Sequence, residues 1–287
     1  MNWPDIADAL FGGASRYGDI LALVSNSVWA GAVLGLVGGL IGVFVMQRDM
    51  AFAVHGISEM SFAGAALALL VGWDVVAGSI GGSLVAAAAI GLLGARARDR
   101  NSVIGVLMPF GLGLGILFLS LYSGRSANRF SLLTGQIVSV QSEQLGLLVV
   151  IGAIVLVALL LVWRPLRFDS LDPQAAAARG VPTTAISLGF MLLLGLVVAV
   201  AVHIIGALLV MALLVTPAAA AMRIASGPLA VPALAAAFGV VSAVGGILLA
   251  IAGSLPVSPY ITTISFVVYL VCRAIGSRRG RVERARA

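Results

Sequence analysis

Apolar runs of about twenty residues follow one another along this chain, separated by short polar breaks. A run of that length crosses the ~30 Å hydrocarbon core of a bilayer as a helix. The pattern predicts nine such helices, at about 25–46, 51–72, 75–94, 102–122, 144–163, 184–202, 204–222, 229–252 and 259–275, with eight as the alternative count if one is short, broken or re-entrant. The stretch AISLGFMLLLGLVVAVAV has no apolar/polar alternation, which excludes the strands of a membrane barrel. Lipid offers no partner to exposed backbone groups, so the spans must be helices. The predicted fold is therefore all-α, a polytopic membrane helical bundle of about eight to nine transmembrane helices.

The breaks define the organisation. Residues 1–24 carry Asp5, Asp8, Arg16 and Asp19, which a signal peptide would not tolerate in its apolar run. Trp3, Ile6, Leu10 and Phe11 there predict a short interfacial helix. Residues 25–275 form a single transmembrane domain, and residues 276–287 a basic tail.

Composition agrees: 61% of residues are hydrophobic and 10% charged, against about 25% charged in soluble domains. The mean hydropathy is +1.14. The single cysteine, Cys272, has no partner in the chain for a disulfide and is read as ordinary helix packing.

All 17 basic residues are arginine. With nine spans and the N-terminus outside, Arg16, Arg125 and Arg129 fall outside and the other fourteen inside, as the positive-inside rule requires. This predicts a cytoplasmic C-terminus, its basic tail near anionic membrane lipid rather than nucleic acid. Without lysine, the chain cannot hold a P-loop ATPase site or form a lysine Schiff base. An ATP-driven motor would have to sit on another polypeptide.

Gly31/Gly35, Gly38/Gly42, Gly78/Gly82 and Gly111/Gly115 are small-xxx-small pairs, which predict close helix–helix packing. His55 and Glu59 stand out in the second span. Four residues apart, they share one helix face. Ionisable groups are costly in lipid and usually face a cavity or a partner. A neutral imidazole and a carboxylate are reasonable ligands for zinc or manganese, and the same pair also suits a mutual hydrogen bond at a helix interface. Ser58 and Ser61 are candidates to line the same path, although serine in a membrane helix often bonds its own backbone. His203, at the end of a span, reads as an interfacial residue, with a role as a further ligand as the alternative. No HExxH motif is present, nor a GxSxG elbow with a plausible His partner, so no catalytic residue is expected.

Three stretches together resemble the permease subunits of bacterial zinc and manganese ABC importers, the ABC-3 or ZnuB-like family. They are VFVMQRDMAFAVHGISEMSFAG, DSLDPQAAAARGVP at 169–182, and HIIGALLVMALLVTPAAAAMR at 203–223. The resemblance covers roughly residues 25–275 and is most specific in the third stretch. It implies a transport subunit, not an enzyme, in the bacterial plasma membrane. The implied assembly is a homodimer bound to a separate ATP-binding-cassette ATPase, which holds the ATP. An extracytoplasmic metal-binding protein would deliver the ion. His55 and Glu59 would handle the passing metal, zinc first and manganese second. Where many relatives carry Asp then His, this chain has His55 then Glu59, and a His common early in the fourth span reads Met108-Pro109.

The segment 169–182 resembles the family's ATPase-docking segment, and its residues agree. Within Asp172, Pro173, Gln174, Ala175, Ala176, Ala177, Ala178, Arg179 and Gly180, the Ala-rich run reads as a short helix starting after Pro173 and stopped by Gly180. An ion- or proton-coupled secondary carrier, with His55 and Glu59 relaying protons, is a second functional class the sequence allows, and a non-transporting membrane scaffold a third.

Overall fold

The computed structural model describes residues 24–94, 97–124, 137, 140–252 and 257–286. Among them it forms ten helices: α1 (Ser25–Gln47), α2 (Ala51–Val71), α3 (Val75–Leu93), α4 (Ala97–Leu121), α5 (Ser142–Leu171), α6 (Pro173–Ala178), α7 (Thr183–Ile205), α8 (Ala207–Ile224), α9 (Ala230–Ala252) and α10 (Val257–Arg286). Eight are long and apolar enough to cross a membrane. The segment 1–23, and with it the expected interfacial helix, lies outside the described residues.

Four helices depart from the predicted bounds. α5 runs 30 residues, to Leu171, well past the expected end near 163. Its extension is amphipathic enough to bury Leu166 and Asp169. α10 is also 30 residues long and carries the basic tail as helix to Arg286. α4 starts at Ala97, before the predicted 102. α8 is only 18 residues, about 27 Å, with Pro217 inside it. Gly206, at φ 82°, separates it from α7 in a backbone conformation that L side chains rarely adopt.

The described residues fall into two compact units. The first takes residues from 1–46, 137–147 and 212–287. Here the glycines of α1 form two stripes. Gly31, Gly35 and Gly39 face α9, and Gly38 and Gly42 face α8. Gly35 and Gly239 meet backbone to backbone, so a methyl group on either would overlap the other. Val43, Ala218, Ala221, Val231 and Ala235 close a core between α1, α8 and α9. α10 packs on α9, with Gly246 against Ile261.

The second unit takes residues from 47–136 and 148–211. Here α2 is the central helix, packed against α3, α4 and α7. Gly64 of α2 meets Gly78 and Gly82 of α3, and Gly111 and Gly115 of α4 meet Met60 and Phe62. With no hydrophobic drive between helices in lipid, such close backbone approach supplies much of the association through van der Waals contact.

Candidate metal path and ATPase-facing helix

The turn Arg48–Asp49–Met50 separates α1 from α2, with Asp49 at φ 52°, a conformation Asp tolerates better than most residues. α2 then starts at Ala51 without a side-chain cap. His55 lies in its second turn and Glu59 one turn further, about 12 Å along the helix from its start. His55 Nε2 stands 3.5 Å from Glu59 Oε1. The two groups differ in access: the His55 side chain is 30% exposed, whereas that of Glu59 is 6% exposed. The imidazole therefore forms the open side of the pair and the carboxylate its buried side. α4 closes over the carboxylate's helix, with Gly111 against the Glu59–Met60 backbone and Met108 against Gly56.

The two nearby serines do not line this face. Ser58 Oγ donates to the His55 carbonyl at 2.8 Å. Ser61 is fully buried, and its hydroxyl lies 2.7 Å from that of Ser79, which donates to the Ala199 carbonyl at 3.1 Å. This hydroxyl chain pins α2 to α3 and α7, half a turn beyond Glu59. The path-lining expectation for Ser58 and Ser61 is thereby corrected, because both hydroxyls are engaged in bonds within and between helices.

His203 sits in the last turn of α7. The acid that acts on it electrostatically is Asp74, the N-cap of α3, whose carboxylate also accepts from the Ala77 amide at 2.7 Å. Among the described residues, no cluster of three or more His, Cys, Asp or Glu side chains forms.

The short helix α6 is fully capped. Asp172 Oδ1 accepts from the Ala175 amide at 2.9 Å, and Pro173 occupies the first turn. At the other end, Gly180 N–H bonds Ala177 O and Val181 N–H bonds Ala176 O, with Gly180 at φ 80°. This is a Schellman closure, which needs a residue without a Cβ penalty at that position. Ala176 is buried beneath, while Gln174, Ala177, Ala178, Arg179 and Gly180 are exposed. Arg179 lies over the Phe168 ring at 5.6 Å. Two caps thus hold a six-residue helix that presents a smooth, small-residue face.

One feature at this end was missed in the sequence. Arg48 Nη1 and Asp169 Oδ2 form an ion pair at 2.7 Å, with side chains only 9% and 3% exposed. The same Nη1 reaches Ser170 Oγ at 3.3 Å, the guanidinium lies over Phe190 at 5.7 Å, and Arg100 donates to the Arg48 carbonyl at 3.1 Å. A cavity of about 350 Å³ opens beside these groups, bordered also by Asp49, Pro173 and Thr184. The sequence signal was faint: an arginine and an aspartate at span ends, 121 residues apart.

The sequence signature of the ABC 3 transport family matches residues 21–276. The chain belongs to that family. It is 32% identical over 225 residues to the manganese transport system membrane protein MntC of Halalkalibacterium halodurans, covering 78% of this chain and 77% of that protein. It is 27% identical over 263 residues to the manganese import system permease protein ScaB of Streptococcus parasanguinis, covering 91% and 94% of the two chains. Among solved structures, PsaBC from Streptococcus pneumoniae in complex with Fab matches with a TM-score of 0.81 at 27% identity, over 90% of this chain and 95% of that one. As an ABC 3 family member, the chain is a multi-pass membrane permease subunit of an ABC transporter, with the all-helical permease fold and no catalytic role.

Proposed function

We propose that this permease moves a divalent metal ion inward, manganese before zinc, past His55 and Glu59, with ATP hydrolysed on a partner subunit that docks on α6. The names of the relatives, which specify manganese, reverse the order of metals expected from the sequence alone. The observation that carries the reading is the His55–Glu59 pair: a nitrogen and an oxygen donor 3.5 Å apart, one partly open and one buried. That donor set suits manganese and zinc alike, and contains no thiolate that would trap a softer ion. Two protein ligands leave the remaining positions to water or other groups, so the ion can leave again.

The reading extends to the assembly. Two copies of the permease pair around a path, an extracytoplasmic binding protein delivers the ion, and the ATPase engages the exposed Gln174–Gly180 face of α6 from the cytoplasm. With the shorter α8 counted as a ninth crossing, the asymmetry of the arginines supports that orientation.

The test is ion uptake by the permease reconstituted with its ATPase and binding protein, with manganese, zinc and iron(II) in competition. The expected result is ATP-dependent manganese accumulation, with zinc as a weaker competitor. Accumulation by the permease alone, driven by a pH gradient, would overturn the reading in favour of a secondary carrier.

A further inference from the structure

The buried ion pair between Arg48 and Asp169 joins two places the proposed function keeps separate. Asp169 lies on the last turn of α5, three residues before the Asp172 cap of α6. Arg48 lies in the turn that feeds α2, seven residues before His55. One guanidinium therefore ties the ATPase-facing end of α5 directly to the helix that carries the metal pair. Further along α2, the Ser61–Ser79–Ala199 hydroxyl chain fixes the same helix to α3 and α7. His55 and Glu59 lie between this pin and the charged grip.

We propose that Arg48 and Asp169 act as a transmission grip: displacement of α6 by the ATPase pulls α2 through this ion pair and rocks it about the Ser61 pin, changing the exposure of the His55–Glu59 pair. Both residues are positioning residues, acting through α2. The inference rests on the proposed function, specifically on α6 as the ATPase contact.

The chemistry favours transmission over simple stability. A buried ion pair adds little net stability, because desolvation offsets most of its attraction, but losing one partner is costly. What such a pair does supply is a directional link between the two elements. Arginine suits it, with a planar fork that can bond carboxylate and hydroxyl while stacking on an aromatic ring. The neighbouring cavity provides room to move. Arg48 Nε, Arg100 Nε and Gln47 Oε1 are buried there with no protein hydrogen-bond partner, so alternative pairings are within reach as the grip shifts.

The experiment uses the full complex in proteoliposomes and compares Arg48→Gln, Asp169→Asn and the double substitution. Three quantities are measured: co-purification of the ATPase, ATP hydrolysis stimulated by the metal-loaded binding protein, and manganese moved per ATP. The expected result is intact assembly and continued hydrolysis, with manganese moved per ATP reduced at least about tenfold. The double variant should be no worse than either single one, since the two side chains act as a unit. A transport ratio within twofold of the unsubstituted complex would overturn the grip. So would failure of the variants to assemble, or a proportional fall of uptake and hydrolysis, either of which marks a purely structural pair. If the unsubstituted permease does not bind the ATPase, or binds it equally well without α6, the proposed function fails instead.

Discussion

Gly111 of α4 lies directly against the backbone of Glu59: a methyl group at that glycine would stand 3.0 Å from the Glu59 carbonyl carbon and 2.9 Å from the Met60 nitrogen. The buried half of the His55–Glu59 pair is thus positioned by the absence of a side chain on a neighbouring helix. Gly111→Ala should push α4 away from α2 and displace the carboxylate, lowering the manganese uptake rate on the order of tenfold. Gly113→Ala, on the same helix, meets nothing within 4 Å and should leave uptake unchanged. Uptake assays on the two variants, at matched membrane levels, check the contrast.

The α1–α9 contact makes a similar prediction for folding. Gly35→Ala overlaps the Gly239 backbone and should cost about 1–3 kcal/mol, visible as a lower midpoint of thermal unfolding in detergent. Gly81→Ala on α3 has open space and should leave that midpoint unchanged.

The caps of α6 can be removed without touching any membrane-spanning contact. Asp172→Ala deletes the bond to the Ala175 amide, at a cost of about 1 kcal/mol. Gly180→Ala places a Cβ at φ 80°, at a cost of about 1 kcal/mol. Both should weaken co-purification of the ATPase while the isolated permease retains its unfolding midpoint in detergent within about 1 °C, because a local change in a surface helix barely moves the global transition.

Much of this architecture was legible in the chain, for a physical reason. A bilayer leaves helices as the only solution for long apolar runs, so the spans followed from hydropathy alone, and glycine spacing marked where helices approach. The His55–Glu59 pairing followed from one helical turn of separation. The short helix α6 followed from Pro173 as a start signal and Gly180 as a stop, while its Asp172 cap emerged only from the structure. Other features were hidden because they depend on tertiary contacts. The Arg48–Asp169 pair required the turn before α2 and the end of α5 to bring together residues far apart in sequence, and no local pattern encodes that. The extension of α5 depended on burial of Leu166 and Asp169, which gives a segment read as a polar break a packed face. Ser61 looked like a path residue because its partner on α3 could not be known from spacing.

The account turns on whether a passing ion meets His55 and Glu59. The direct measurement is the rate of radiolabelled manganese uptake by proteoliposomes containing the full complex, with Glu59→Gln and His55→Ala compared with the unsubstituted permease at equal ATPase content. The account predicts at least a tenfold lower rate for both variants, on the order of one lost ligand interaction, with the complex still assembled. Unchanged uptake in both would contradict it, and would leave the 3.5 Å pair as a contact that only holds α2 together.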